Sequence, residues 1–471
     1  MTFKKLGCAL LPLLAAPAFG QAADLTTNQI ETIDLIIEQG LTDNVGLDFV
    51  RDLTTEVGPR LAGSDQEAIA RDWSSEHLTE LGFSSVRIEG FDIPYWSRVN
   101  EEASIVTPTR QTLYMTAIGG SSATPDDGIE GEVVAFPSLR ELRAAEDADV
   151  AGKIVFINED MTRAQDGAGY GPAVAKRRGC IGPAIEKGAL ACIIRSVGTS
   201  SHRFPHTGMG ERGGIDGPGP VAAISSPDAD QLGRLLEKGP VSVHLNIQVE
   251  TLASAPSGNV IAEVLGSGPL ADEIVLLGCH LDSWDLGTGA IDDGAGCGIV
   301  VGAANLLANL DETPKRTIRV VLYGAEEVGL LGGTAYAQQH ANELDKHVFA
   351  SESDFGADVI WKFETNFGEG ALPYARAMQN ILAPLGIIPG GNAAGGGPDI
   401  GVLRRAGVPV VSPRQNGLDY FDLHHTPDDT FDKIDPDKFR QNVAAYAAFT
   451  YLAAFTDWDF RAPAADATIG D

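Results

Sequence analysis

The sequence predicts an α/β protein: a mixed, mostly parallel sheet with helices on both faces, carrying an inserted β/α domain. Three observations carry this. From about residue 256, short apolar runs alternate with helical patterns. Those runs are apolar throughout, as strands covered on both faces are. Residues from about 120 to 250 carry their own shorter strands and break that rhythm. At 471 residues the chain exceeds one simple core, and 44% apolar content is enough for a packed interior rather than disorder.

Taken in order, residues 1–22 have the form of a signal peptide. "MTFKK" is a basic start, the apolar "LGCALLPLLAAPAFG" is too short to span a bilayer, and cleavage after Gly20 or Ala22 fits the small residues there. The mature protein is expected to be exported, secreted or periplasmic, with no membrane attachment once the signal is removed. The net charge of −31 argues against nucleic acid and anionic membrane surfaces as partners.

Residues 23–118 read as the N-terminal part of the main domain, with 23–45 open to being a propeptide. Helical periodicity covers 25–54, and Gly58-Pro59 breaks it. Ser64 and Glu67 form a capping box that starts a helix with Ile69, Trp73 and Leu78 inward. Gly82 ends it, and "SVRIEGFDI" alternates as a strand. The inserted unit is set at 119–252. Its strands are "GEVVAF", "KIVFI", "ACIIR", "VAAIS" and the closing "VSVHLNIQV". The remainder, 253–471, reads as the catalytic domain. Its strands are "NVIAEVLG", "EIVLLGC", "TIRVVLYG", "HVFASES" and "GVPVVSP", with helices between and after them.

Ligands of open α/β sheets sit at the carboxyl ends of the strands. Those ends are where this sequence places its acids and histidines. "EIVLLGC" runs into His280 and Asp282, and the Gly-rich turn beyond holds Asp292 and Asp293. "TIRVVLYG" ends at Glu326-Glu327, "HVFASES" at Asp354, and "GVPVVSP" leads to His424-His425. A mononuclear catalytic zinc needs three protein ligands and an open position. Five imidazole and carboxylate ligands suit two metals sharing one carboxylate. Asp292, on the turn, is the expected bridge. His280 with Asp354 would hold one ion, and Glu327 with His425 the other. Glu326 is then the expected general base for a water between two metals. Asp282 is expected to accept the second N–H of His280 and fix its tautomer. The other histidines (77, 202, 206, 244, 340 and 347), with Asp285 and Asp293, read as ordinary core or loop groups. Arg404, Arg405 and Arg414 are candidates for a substrate carboxylate, although surface ion pairs explain them equally.

After the signal, Cys180, Cys192, Cys279 and Cys297 remain. No C-x-x-C pair occurs, so a thiolate zinc site is not expected. A Cys180–Cys192 bridge and burial as free thiols both stay open.

The segments "GCHLDSWDLGTGAIDDGAG", "YGAEEVGLLGG", "SESDFG" and "HHTPDDT" together resemble the co-catalytic zinc aminopeptidase and glutamate carboxypeptidase family, as does "EVGPRLAGS". The insert resembles the protease-associated domain of one branch. The resemblance spans nearly the whole mature chain. It implies the zinc exopeptidase fold and two zinc ions on His280, Asp292, Glu327, Asp354 and His425, with Glu326 as base. The H-T-x-x-D-T pattern selects His425 over His424. The resemblance further implies short peptide substrates, dipeptides with a free amino end, and a homodimer. Cys279 departs from the small residue usual there and is expected to pack under His280 as a buried thiol. Two alternatives share the fold: a single-zinc glutaminyl cyclase-like acyltransferase, and a non-catalytic binding protein like transferrin receptor. The complete ligand set disfavours both.

Overall fold

The computed structural model describes residues 21–210 and 217–463. Most of the signal reading, with Cys8, lies outside them. The main sheet is built around Ile274–His280. Thr317–Tyr323 pairs parallel to it on one side and His347–Glu352 on the other. Val410–Gln415 continues the parallel set, while Ile360–Asn366 and Ser242–Val264 run antiparallel on the two flanks. Because side chains alternate along a strand, Val275, Leu277 and Cys279 enter the core shared with helices 27–40, 295–308 and 436–455. Ile274 and Leu276 pack on the other face with Tyr336 and Leu403. Each such buried aliphatic contributes about 1.5–3 kcal/mol.

The helix Ala295–Ala308 is buried nearly all round. The segment Ala290–Ala308 is long and apolar enough to cross a membrane, yet it lies inside the fold and reads as a core helix. Close packing of helix Val45–Asp52 against it depends on glycine. A Cβ on Gly46 would meet the Gly298 carbonyl oxygen at 2.3 Å, and one on Gly298 would meet that of Gly46 at 2.4 Å. This contact fixes the helix that begins just after Asp292.

Two long strands, Ser84–Thr107 and Ser242–Val264, pair antiparallel along most of their length. They carry the chain from the main sheet to a second one. There Ile129–Phe136, Ile154–Ile157, Ala191–Arg195 and Val221–Ile224 lie parallel in that order, with Met115–Ala117 antiparallel at the edge. The runs "VSVHLNIQV" and "NVIAEVLG", separate in the sequence reading, are two ends of one strand.

Three local expectations change. The helix Asp65–Glu80 forms, but Ile69 is 48% exposed. The inward face instead buries Glu67, whose carboxylate meets Arg71 at 2.8 Å and the Ser257 hydroxyl at 2.6 Å. Ser64 Oγ accepts from the Glu67 amide, whereas the Glu67 carboxylate turns to the Gly63 amide, so the capping box is half formed. Cys279 is not a free thiol: it is bonded to Cys297, their Cα atoms 5.1 Å apart. The Gly-rich turn brings the strand end and the helix start back together, within disulfide reach. Cys180 is bonded to Cys192, one of the two states left open.

A buried polar chain joins the strands to the outer helices. Arg319 donates to Tyr336 Oη at 2.9 Å, Tyr336 Oη lies 2.8 Å from His347 Nε2, and His347 Nδ1 lies 2.9 Å from the Glu343 carbonyl oxygen. The Glu343 carbonyl takes the Nδ1 proton, so Nε2 accepts from Tyr336 and the ring is neutral. Burial lowers its pKa to about 4 from 6.5, with the nearby Arg319 charge adding to that. Between those values the unfolded chain binds the proton and the folded chain does not. Stability from this group is therefore present above about pH 6.5 and is lost as pH falls toward 4. We expect the wild type to lose about 2 kcal/mol more than His347→Gln between about pH 7 and pH 5. Urea unfolding at the two pH values measures it, and equal losses would contradict the assignment.

Candidate active site

The strand ends bring the expected residues to one rim. His280 is the last residue of Ile274–His280. Its Nδ1 lies 2.8 Å from the Asp282 backbone oxygen, which takes the proton and leaves the Nε2 lone pair outward. That Nε2 sits 3.1 Å from Asp292 Oδ1 and 3.5 Å from Asp354 Oδ1. On the other side, His425 Nδ1 lies 3.1 Å from the Thr207 carbonyl oxygen. Its Nε2 lies 3.2 Å from Asp292 Oδ2 and 3.0 Å from Glu327 Oε2. The two oxygens of Asp292 thus face two different imidazoles, each with an acid of its own. All of these side chains except Asp354 are among the buried residues, and Asp354 is largely covered.

The donor set fits divalent zinc. His280, Asp292 and Asp354 each offer a ligand atom within 4.8 Å of the others. The Oε1 atom of Glu327 is buried and has no hydrogen-bond partner. Imidazole and carboxylate, with both nearby thiols in a disulfide, are ligands zinc accepts. Charge says the same. Burial opposes ionisation of Asp292, but the His280 and His425 rings, which take up a second proton at Nε2 when no metal occupies it, outweigh burial and hold its carboxyl well below the usual range. Burial also opposes the charged form of His425, yet Glu327 and Asp292 carry it up to about 10. Burial, then the Asp354 and Glu327 carboxylates, push Glu326 well above the ordinary range, against the pull of His280. Acids crowded this way are what bound cations relieve.

Asp282 differs from expectation in which of its atoms works. Its carboxylate is 3.7 Å from His280 Nδ1 and instead accepts from the backbone amides of Glu326 at 3.0 Å and Glu327 at 3.3 Å. It positions the turn carrying the base and a ligand. That turn opens with Ala325 in the left-handed region (φ 57°), a strained state that these contacts hold.

Several neighbours were not singled out from the sequence. Trp284 Nε1 donates to Glu327 Oε2 at 2.7 Å. Arg60, fully buried, donates to the carbonyls of Leu281, Gly58, Thr288 and Gly289, and so clamps the 281–289 loop. Asp429 accepts from the amides of Ile291 at 2.6 Å and Asp292 at 3.3 Å. Asp293 serves loop amides as expected, those of His280 and Gly296. Asp285 pairs with Arg98. His424 stacks on His425 at 3.5 Å and places Nε2 3.6 Å from Asp292 Oδ2, so both histidines of the pair approach the bridge. Of the three arginine candidates, Arg414 pairs with Glu364 at 2.8 Å, and Arg404 and Arg405 face solvent.

The inserted domain closes the site. A cavity of about 430 Å³ has Asp292, Glu326, Glu327, Asp354, His424 and His425 on its floor. Tyr170, Val174, Arg177, Arg178 and Met209 come from the insert side. Residues 199–207 of the insert grip the loop carrying His425. The Thr207 amide donates to the His425 carbonyl, the Thr199 amide to that of Phe421, and His206 Nδ1 lies 2.9 Å from that of His424.

Fold and site together define a co-catalytic zinc exopeptidase, and the comparisons agree. Residues 259–450 match the model of peptidase family M28. Mouse carboxypeptidase Q is 34% identical over 406 residues, covering 86% of this chain and 84% of its own length. The rat protein is 36% identical over 405 residues, covering 85% and 84%. The crystal structure of an M28 peptidase precursor from Shewanella amazonensis superimposes with TM-score 0.89 at 47% identity, covering 93% of this chain and 99% of that one. A Bacillus subtilis zinc aminopeptidase shares the fold, with TM-score 0.63 at 19% identity, covering 89% and 97%. The chain belongs to peptidase family M28 and is carboxypeptidase Q-like.

Proposed function

We propose that the protein is an exported dizinc exopeptidase hydrolysing the peptide bond of dipeptides and short peptides with a free N-terminus. The observation that carries this reading is Asp292, whose two oxygens each meet a different histidine (3.1 and 3.2 Å). His280 and Asp354 would hold one zinc, Glu327 and His425 the other, with Asp292 on both. Two such ions supply Lewis-acid polarisation of a scissile carbonyl and acidify water.

The chain's own groups do the rest. The Glu326 carboxylate takes a proton from the attacking water and returns it to the leaving amine nitrogen. Asp282 holds the Glu326 amide and thereby the direction of the base. The Asp282 and Thr207 carbonyls keep Nε2 of the two histidines unprotonated and facing the ions. The acidic floor suits a protonated N-terminus, and helix Tyr170–Gly179 limits the room above it. Two buried disulfides favour export. The homodimer and residues 119–252 as a protease-associated insert belong to the same reading, by resemblance.

The test is hydrolysis of unblocked dipeptides beside N-acetylated ones, before and after chelation and zinc return. We expect cleavage that zinc restores and that N-acetylation abolishes. Cleavage of the acetylated set alone would turn the reading toward a carboxypeptidase.

A further inference from the structure

We infer that the inserted domain supports one of the two metal positions, that of Glu327 with His425, and that Trp284 is the positioning residue through which it does so. The inference rests on the two-ion reading above.

The outer partners of the two histidines come from different parts of the chain. Those of His280 are local. The Asp282 carbonyl oxygen takes its Nδ1 proton at 2.8 Å, and the Asp293 carboxylate accepts from its backbone amide at 3.2 Å. Those of His425 come from the insert. The Thr207 carbonyl oxygen lies 3.1 Å from Nδ1, and the Thr207 amide donates to the His425 carbonyl at 3.0 Å. Outer partners of this kind set how firmly a ligand holds its metal.

Glu327 depends on the insert through Trp284. The indole Nε1 donates to Glu327 Oε2 at 2.7 Å, which orients the carboxylate and leaves the buried Oε1 without a partner. Trp284 belongs to the catalytic part of the chain, yet it is 4% exposed and lies in the hydrophobic core of the insert, together with Met115, Met209 and Leu245. Among the described residues it is the one buried member of that core beyond position 252. Its seat is bare backbone: a Cβ on Gly119 would come within 2.5 Å of Trp284 Cη2. Arg98 lies over the ring, 5.6 Å from its centre, and pairs with Asp285 next in sequence. It also donates to the Ala117 carbonyl and the Thr207 hydroxyl, both at 2.9 Å. One guanidinium thus ties the indole to the residue that orients His425. The second metal position is complete only when the insert is seated, whereas the His280 position is built by its own loop.

The test is zinc content per chain after dialysis against a chelator buffered so that wild type keeps both ions, with the remaining ions located by anomalous diffraction. Trp284→Phe keeps an aromatic ring in the seat but loses the N–H. Gly119→Ala keeps the N–H and crowds the ring. Each should weaken one ion about 10- to 100-fold, and the ion left should lie on His280 and Asp354. Either variant holding both ions at wild-type affinity would overturn the proposal. So would loss of both ions together, or an ion left on Glu327 and His425 instead. Wild type supplies an independent check, because coupling is reciprocal. Going from one ion to two should slow hydrogen exchange at the Thr199 and Thr207 amides, which hold the loop carrying His425. Unchanged exchange there would overturn the proposal even if neither variant folds. Wild type binding a single ion would remove the two-ion reading and this proposal together.

Discussion

Glu326→Gln should bind two zinc ions and unfold like the wild type, yet lose about 10²–10⁴-fold in kcat. The amide is the same size as the carboxylate and leaves the backbone contact to Asp282 untouched. It also removes a negative charge from a group that sits among Asp354 and Glu327, so the fold should not suffer. What it cannot do is take a proton from water. KM should change far less than kcat, because the base acts in the transition state rather than in binding. Near-normal turnover with zinc in place would contradict the base assignment.

Asp292→Asn should do the opposite, failing first in metal content. Asparagine offers one oxygen and one NH₂ that has no lone pair for a metal, whereas Asp292 turns one oxygen toward each histidine and so could serve both ions. The carboxylate charge shared by two ions disappears with it. Because altering even an outer partner of a ligand costs about 10–100-fold in metal affinity, losing the bridge should cost at least that much. We expect one zinc or none after dialysis at a zinc concentration that keeps wild type saturated, and activity lost in step. Retention of two tightly held ions would remove Asp292 from the bridge.

The main sheet was legible because its strands are apolar on both faces, and the acids and histidines follow them directly in the sequence. Ile360–Asn366 was missed. Flanked by antiparallel Val410–Gln415, it lies near the sheet edge and mixes Lys362 and Glu364 with Ile360 and Phe363. Ile69 was misplaced because periodicity assigns apolar residues inward, whereas here a Glu67–Arg71 pair holds the buried face. Asp282 was found by its position after His280, but spacing alone does not reveal which of its atoms meets which partner. Contributions from the insert were invisible for a simpler reason. Thr207 and His425 are 218 residues apart, and nothing local in either segment announces that one fixes the tautomer of the other.

The most direct measurement is diffraction from zinc-loaded crystals on either side of the zinc absorption edge. The account predicts two anomalous peaks per chain. One should lie on His280 and Asp354, the other on Glu327 and His425, with Asp292 touching both. A single peak, or a second peak held by His424 in place of His425, would contradict it.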